Sequence, residues 1–176
     1  YTLKIERKRK NPQTMNNIKD KLALMAPSLV FGEGEPLTVT VPAGQFRDVA
    51  KSLRDDPQMR FDLLLCMTGM DWGETLGVVY HLLSTELGHE IVLRTETADR
   101  ENPELQSVYD LWESANLNER EVYDFFGIRF IGHPDMRRLY LRNDWVGYPF
   151  RKDYNASPDV NPVRLDSDET LDTAPA

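Results

Sequence analysis

Residues 78–95 read VVYHLLSTELGHEIVLRT, and this stretch decides the fold class. Val78 to Ser84 and Glu90 to Thr95 are strand-like runs, and Leu87-Gly88-His89 lies between them as a turn. Two such runs joined by a Gly-bearing turn predict a β-hairpin. His81 is then a strand residue facing solvent and His89 a turn residue. Upstream, Phe61 to Met70 is an apolar segment, strand or helix by pattern alone. Gly69 to Gly77 follows as a loop around Asp71-Trp72-Gly73, and Cys66 in the apolar run reads as an inert core residue.

Further toward the N-terminus, Thr38-Val39-Thr40-Val41 alternates as a strand does. Pro42 begins a helical segment with Phe46, Val49, Ala50 and Leu53 at helical spacing, stopping at Asp55-Asp56-Pro57. Gly32 to Pro36 is a turn signal. Asn16 or Asn17 is placed to cap a helix running to Met25, with Ile18, Leu22 and Met25 on one face and Pro27 as its stop. Tyr1–Ile5 is a short strand candidate within a polar arm.

Toward the C-terminus, Pro103 suits the first position of a third helix covering Leu105, Val108, Leu111 and Trp112. Asn116 then reads as the N-cap of another helix, with Glu119 completing a capping-box pair. Gly127 is its C-terminal stop. Val122, Phe125 and Phe126 form an apolar face flanked by Glu119 and Glu121, while Arg120 and Asp124 are spaced for an i,i+4 ion pair. Ile128 to Phe130 resumes as a short strand.

Interleaved helices and strands with a hairpin predict an α+β fold, a two-layer domain with helices packed on one face of a mixed β-sheet, plus an extended C-terminal arm. The expected division is a polar N-terminal arm at 1–13, an α+β domain at 14–132, and a partner-binding arm at 133–176. Beyond Tyr154 the arm becomes an acidic tail, rich in Pro, Asp and Ser, with no core of its own.

A chain of 176 residues is long enough to bury a core without staples. A net charge of −8 argues against nucleic acid or an anionic membrane surface as partner. No apolar run reaches the roughly 18 residues of a membrane span, and the basic N-terminus lacks the apolar core of a secretory signal. One cysteine excludes an internal disulfide and an iron–sulfur cluster held by this chain alone. His81, His89 and His133 have no metal-ligand spacing, and Gly32 and Gly34 precede Pro36 rather than a helix, which argues against a phosphate cradle.

Residues 133–154 are the unusual part. Arg137, Arg138, Arg142 and Arg151 alternate with Tyr140, Trp145, Tyr148, Phe150 and Tyr154. Arg and large aromatics are the types enriched at interface hot spots. Composition leaves two readings open: an arm that wraps a partner, or one that folds back on its own domain.

These residues also carry a resemblance. Glu119-Arg120-Glu121-Val122-Tyr123-Asp124-Phe125-Phe126, then His133, Arg137, Leu139 and Tyr140, resembles the E-R-E-x-x-D signature of the 30-kilodalton (C) subunit family of respiratory complex I. Asp144 to Tyr154 is similar to that family's D-W-x-G-x-P-x-R-K-D-Y, and Asp71-Trp72 sits where the family has an Asp after an apolar run. Leu117 departs from the family, where many members carry Trp. The resemblance spans about residues 15–155.

It implies a non-catalytic scaffold subunit of the hydrophilic arm of a proton-pumping NADH:quinone oxidoreductase. The implied partners are the quinone-site (49 kDa, D-type) and terminal iron–sulfur (B-type) subunits, with no nucleic acid and no direct membrane span. It implies no cofactor in this chain, FMN and iron–sulfur clusters being expected in other subunits. The implied location is peripheral, on the cytoplasmic face of the bacterial inner membrane, or the matrix or stromal side in an organelle. The expected partner interface is Arg137, Arg138, Tyr140, Trp145, Phe150, Arg151, Lys152 and Tyr154; Asn116, Glu119, Arg120, Glu121, Asp124, Gly127 and His133 are the structural motif. The alternatives are the equivalent subunit of an energy-converting hydrogenase or another quinone- or coenzyme F420-linked relative, and a stand-alone enzyme using Glu119, Glu121, Asp124 and His133 as acid–base groups.

Overall fold

The computed structural model describes residues 12–155. The strand candidate at Tyr1–Ile5 and the acidic tail lie outside the described residues. The elements in chain order are α1 (Pro12–Met25), β1 (Val30–Phe31), β2 (Leu37–Thr40), α2 (Ala43–Asp55), β3 (Leu63–Asp71), β4 (Leu76–Leu83), β5 (Glu90–Thr97), β6 (Glu104–Gln106), α3 (Ala115–Phe126) and β7 (Arg129–Ile131). One sheet has the order β1-β2-β5-β4-β3, and β6 pairs with β7 separately. The β2–β5 pairing is parallel and the other pairings of the large sheet are antiparallel, so that sheet is mixed. Helices pack against it, giving the expected α+β class.

The hairpin forms as its alternation dictates, with Tyr80 opposite Leu93 and Leu82 opposite Ile91. The period of two turns Val78, Tyr80 and Leu82 inward to full burial and leaves His81 exposed on the other face. Tyr80 meets Phe46 of α2 with ring centroids 4.6 Å apart. Phe46, Val49, Ala50 and Leu53 form the buried stripe that their spacing predicts, and Ile18 and Leu22 of α1 join the same core. Each such large side chain contributes about 1.5–3 kcal/mol on burial.

Several expectations are corrected. The helix α1 begins at Pro12, so Asn16 and Asn17 lie inside it rather than capping it; proline itself is a good first residue. Met25 is largely exposed. Phe61 to Met70 resolves as strand, because Leu63–Asp71 pairs with β4 along its length, and the expected loop shrinks accordingly. Alternation therefore puts Cys66 on the outer face, exposed, not in the core. The expected helix from Pro103 is absent: Glu104–Gln106 pairs in parallel with Arg129–Ile131, and tertiary pairing overrides the helical spacing. Leu105, Val108, Leu111 and Trp112 are nevertheless all buried. His89 is near the turn but buried, with Nε2 2.6 Å from the Met59 carbonyl oxygen.

Candidate functional site

The arm-bearing end of the molecule is organised by two buried carboxylates, Asp124 on α3 and Asp71 at the end of β3. The helix α3 starts at Ala115, which is fully buried, and its N-cap position is Ser114, without a side-chain cap bond. Asn116 is therefore a first-turn residue, not the cap. Its carbonyl accepts from His133 Nε2 at 3.0 Å, while His133 Nδ1 accepts the Asp135 amide at 3.0 Å. Gly127 does end the helix, in the left-handed conformation at φ 74° that glycine adopts freely.

Glu119 does not close a capping box. It is fully buried, and its carboxylate accepts the Ser107 hydroxyl at 2.5 Å and the Val108 amide at 2.7 Å. Those two donors sit in the loop that follows β6 and outcompete the helix terminus for the side chain. Burial pushes its pKa up to about 7, against the opposing pull of the two donors. Glu121, by contrast, is exposed.

Arg120 and Asp124 do not pair with each other, and both are buried rather than exposed. Arg120 donates to the carbonyls of Arg137 at 3.2 Å and Arg138 at 3.1 Å. Asp124 Oδ2 accepts the amides of Leu139, Tyr140 and Leu141 at 3.1, 2.7 and 2.8 Å. Its Oδ1 takes Arg138 Nη1 at 2.9 Å. Burial would raise the Asp124 pKa, but the Leu141 and Tyr140 amides, the Arg138 guanidinium and the Leu139 amide hold it below the ordinary value. Arg138 also donates to the carbonyls of Trp145 and Gly147, at 3.1 and 3.2 Å. One carboxylate thus gathers residues 138–147, which contain no helix or strand.

The second anchor is Asp71, whose carboxylate receives Arg100 through both terminal nitrogens, at 2.8 and 3.0 Å. It also accepts the Lys152 and Gly73 amides, at 2.9 and 2.7 Å. The Arg100 guanidinium is the main reason that its pKa falls far below the carboxylate range. Arg100 reaches on to Asp153 at 2.9 Å. Arg151 donates Nε to the Phe126 carbonyl at 2.6 Å and Nη1 to the Arg100 carbonyl at 2.8 Å. Gly127 admits the Tyr148 ring so closely that an added Cβ would lie 2.6 Å from Tyr148 Cδ2.

Of the expected interface residues, Arg138 and Arg151 are thus bonded inward. Trp145 and Tyr154 are half-buried, as is Tyr148 between them, and the Trp145 indole nitrogen is buried without a partner. Facing outward are Tyr140 at 64% and Phe150 at 58% exposure, with Arg137 and Lys152. Both exposed rings stack on Phe125, Phe150 at 4.4 Å and 11°, Tyr140 at 5.7 Å and 13°. The result is a three-ring slab presented to solvent. Phe125 is legible in the sequence only as part of an apolar helix face. Arg100 and Ser107 carry no sequence signal of their own, and Asp71 is visible only through the resemblance.

The four acid–base candidates do not converge. Glu119 faces the loop after β6, Asp124 the arm, His133 the Asn116 carbonyl and Glu121 solvent. A cleft of about 410 Å³ between α2 and the β6–β7 pair is lined by Arg47, Asp48, Gln106 and Ile131 among others, and by none of the four. Among the described residues no group of three or more His, Cys, Asp or Glu could hold a metal ion, and no helix is long and apolar enough to cross a membrane.

Residues 39–160 match the family described as the respiratory-chain NADH dehydrogenase 30 Kd subunit. The chain is 55% identical over 136 residues to the C/D subunit of the NADH-quinone oxidoreductase of Phocaeicola vulgatus, covering 77% of this chain and 25% of that protein. It therefore spans about a quarter of the length of such relatives. It is 39% identical over 162 residues to the C subunit of the NADH-quinone oxidoreductase of Burkholderia cenocepacia, covering 87% of this chain and 80% of that one. Among solved structures it resembles a chain of the membrane-bound sulfane sulfur reductase, an archaeal respiratory membrane complex. That likeness has a TM-score of 0.69 and 28% identity, and covers 88% of this chain and 96% of the other. The extent of the family match and the cover of the Burkholderia relative place this chain in the respiratory-chain NADH dehydrogenase 30 Kd subunit family.

Proposed function

We propose that this chain is a scaffold subunit of the hydrophilic arm of a proton-pumping NADH:quinone oxidoreductase. It performs no chemistry itself and carries no redox group. Its task is to cover and fix neighbouring subunits, the D-type quinone-site and B-type iron–sulfur polypeptides, on the cytoplasmic face of the membrane. The observation that carries this reading is the division of labour along the arm. Its Arg138 and Arg151 guanidinium groups and its 139–141 amides are bonded inward, while Tyr140 and Phe150 stand outward on Phe125. A preorganised aromatic surface avoids much of the ordering cost that weakens flexible interfaces.

The equivalent place in a related membrane complex is a second reading, favoured by the likeness to the archaeal sulfane sulfur reductase chain. The scaffold role is common to both, and only the electron donor and acceptor differ.

The test is the double change Tyr140→Ala, Phe150→Ala. Both rings are more than half exposed, so the isolated fold should persist, losing about 0.5–1.5 kcal/mol per stacked pair. Truncating two hot-spot rings costs about 2 kcal/mol or more each in binding. The variant should therefore leave the large detergent-extracted assembly, and membrane NADH:quinone reductase activity should fall with it. Unchanged co-migration and activity would defeat the reading.

A further inference from the structure

We propose that β3 is a strand-addition site, its free edge receiving an extended, uncharged segment of another polypeptide of the assembly. This rests on the scaffold reading and adds a second contact surface, apart from the aromatic slab.

The sheet has two edges, β1 and β3. β1 is two residues long, too short to template anything. β3 runs nine residues, about 30 Å. In a strand with one neighbour, alternate N–H and C=O groups face away from that neighbour. β4 is the only strand paired with β3 among the described residues. Edges of this kind are normally blunted by Lys, Pro, inward charges or bulges. Leu63 to Met70 contains no charged residue and no proline. Its protective features are a register shift between Leu64 and Cys66 and the inward-turned Asp71 at its far end. Leu63 and Leu65 are 39% and 52% exposed, and Cys66 and Thr68 are close by. The helix α3 packs on the inner face of the strand, where Phe126 and Val122 lie over Gly69.

Charge selects the occupant. Side chains on an added strand would sit about 4.5–5.5 Å from those of β3, so an uncharged strand matches an uncharged edge. The segments of this chain outside the described residues do not supply one. Residues 1–11 contain Lys4, Glu6, Arg7, Lys8, Arg9 and Lys10, and residues 156–176 contain Asp159, Asp166, Asp168, Glu169 and Asp172 among several prolines. A second copy brings another charge of −8 against the first, which opposes self-pairing. A different polypeptide remains.

Two measurements test this. In the intact, detergent-extracted assembly, residue-resolved hydrogen exchange should find consecutive β3 amides, Leu64 to Met70, protected as well as those of β4. The surface change Leu65→Asp, Thr68→Lys should leave the circular dichroism of the full chain unaltered and cut its recovery in the assembly at least tenfold. If alternate β3 amides exchange freely while the wild-type chain still co-migrates, the edge proposal falls and the scaffold reading stands. Wild-type recovery of the double variant also overturns it. A full chain that dimerises alone, and loses the dimer with the same variant, assigns the edge to a second copy instead. A wild-type chain that never co-migrates with an assembly brings down both proposals.

Discussion

Replacing Asp124 by alanine removes the partner of four donors at once. Leu139, Tyr140 and Leu141 lose the acceptor of their amides, and Arg138 loses its carboxylate. Asp124 has 0% exposure, so water cannot take its place without opening the arm. Removing one member of a buried ion pair costs about 3–5 kcal/mol, and the amide bonds to a charged acceptor fall within that sum rather than adding to it. With a urea dependence of about 2 kcal/mol per molar, the unfolding midpoint should drop by roughly 2 M. Limited proteolysis should also cut within 137–147, residues that Asp124 and Arg138 hold. Asp135→Ala is the control: its carboxylate is half exposed and reaches Arg137 at 2.9 Å and Arg120 only at 3.7 Å, so it should cost under about 1 kcal/mol. The acid limb gives a further check. The folded Asp124 pKa lies below its ordinary value of 3.8, so its stabilisation is present above that pH and is lost as pH falls through the folded value. The gap between wild type and Asp124→Ala should therefore narrow in acid. A midpoint shift under about 0.5 M with unchanged proteolysis, or a gap that stays constant in acid, would refute the anchoring role.

Glu119 has the opposite sign. Its folded pKa is raised to about 7 from 4.5, so the contribution of Glu119 to stability is full below about pH 4.5 and is lost as pH rises through about 7, by about 3 kcal/mol. Glu119→Gln keeps an acceptor for Val108 and can donate to Ser107; denaturation at pH 5 and pH 8 should show this loss in the wild type and not in the variant, and equal losses would contradict it. Gly127→Ala places a side chain at φ 74° and a Cβ 2.6 Å from Tyr148 Cδ2, so calorimetry should show roughly 1–3 kcal/mol of destabilisation; an unchanged unfolding temperature would show that Tyr148 does not pack there.

The parts of the fold legible in the sequence are those whose signal is local. The hairpin around Gly88, the α2 stripe from Phe46 to Leu53 and the Gly127 stop each depend on residues a few positions apart. Most of the misreadings come from a distant partner. Glu104–Gln106 is a strand because Arg129–Ile131 lies beside it. Glu119 turns inward because Ser107 and Val108 offer donors twelve and eleven positions away. Arg120 and Asp124, spaced for a mutual bond, each find arm backbone instead. Cys66 reads as buried because apolar neighbours do not reveal which face of an edge strand a residue occupies.

The same geometry explains why a signature of charged residues can mark a family without marking chemistry. In Glu119-Arg120-Glu121-Val122-Tyr123-Asp124, Glu119 fastens the loop after β6, Arg120 takes two arm carbonyls, and Asp124 takes three arm amides and Arg138. Each of these buried side chains fixes a segment of irregular backbone that has no sheet or helix to satisfy it. Burying ionised groups costs several kcal/mol apiece unless every bond is made. The cost is acceptable where one conformation of an irregular arm must be selected over many, since hydrophobic packing alone would leave it free to slide. A reacting carboxylate needs a cavity that admits a substrate, and neither Glu119 nor Asp124 lines the cleft between α2 and the β6–β7 pair. Asp124 instead holds the backbone of residues 139–141, which carries Tyr140 of the slab, and Glu119 holds the loop after β6.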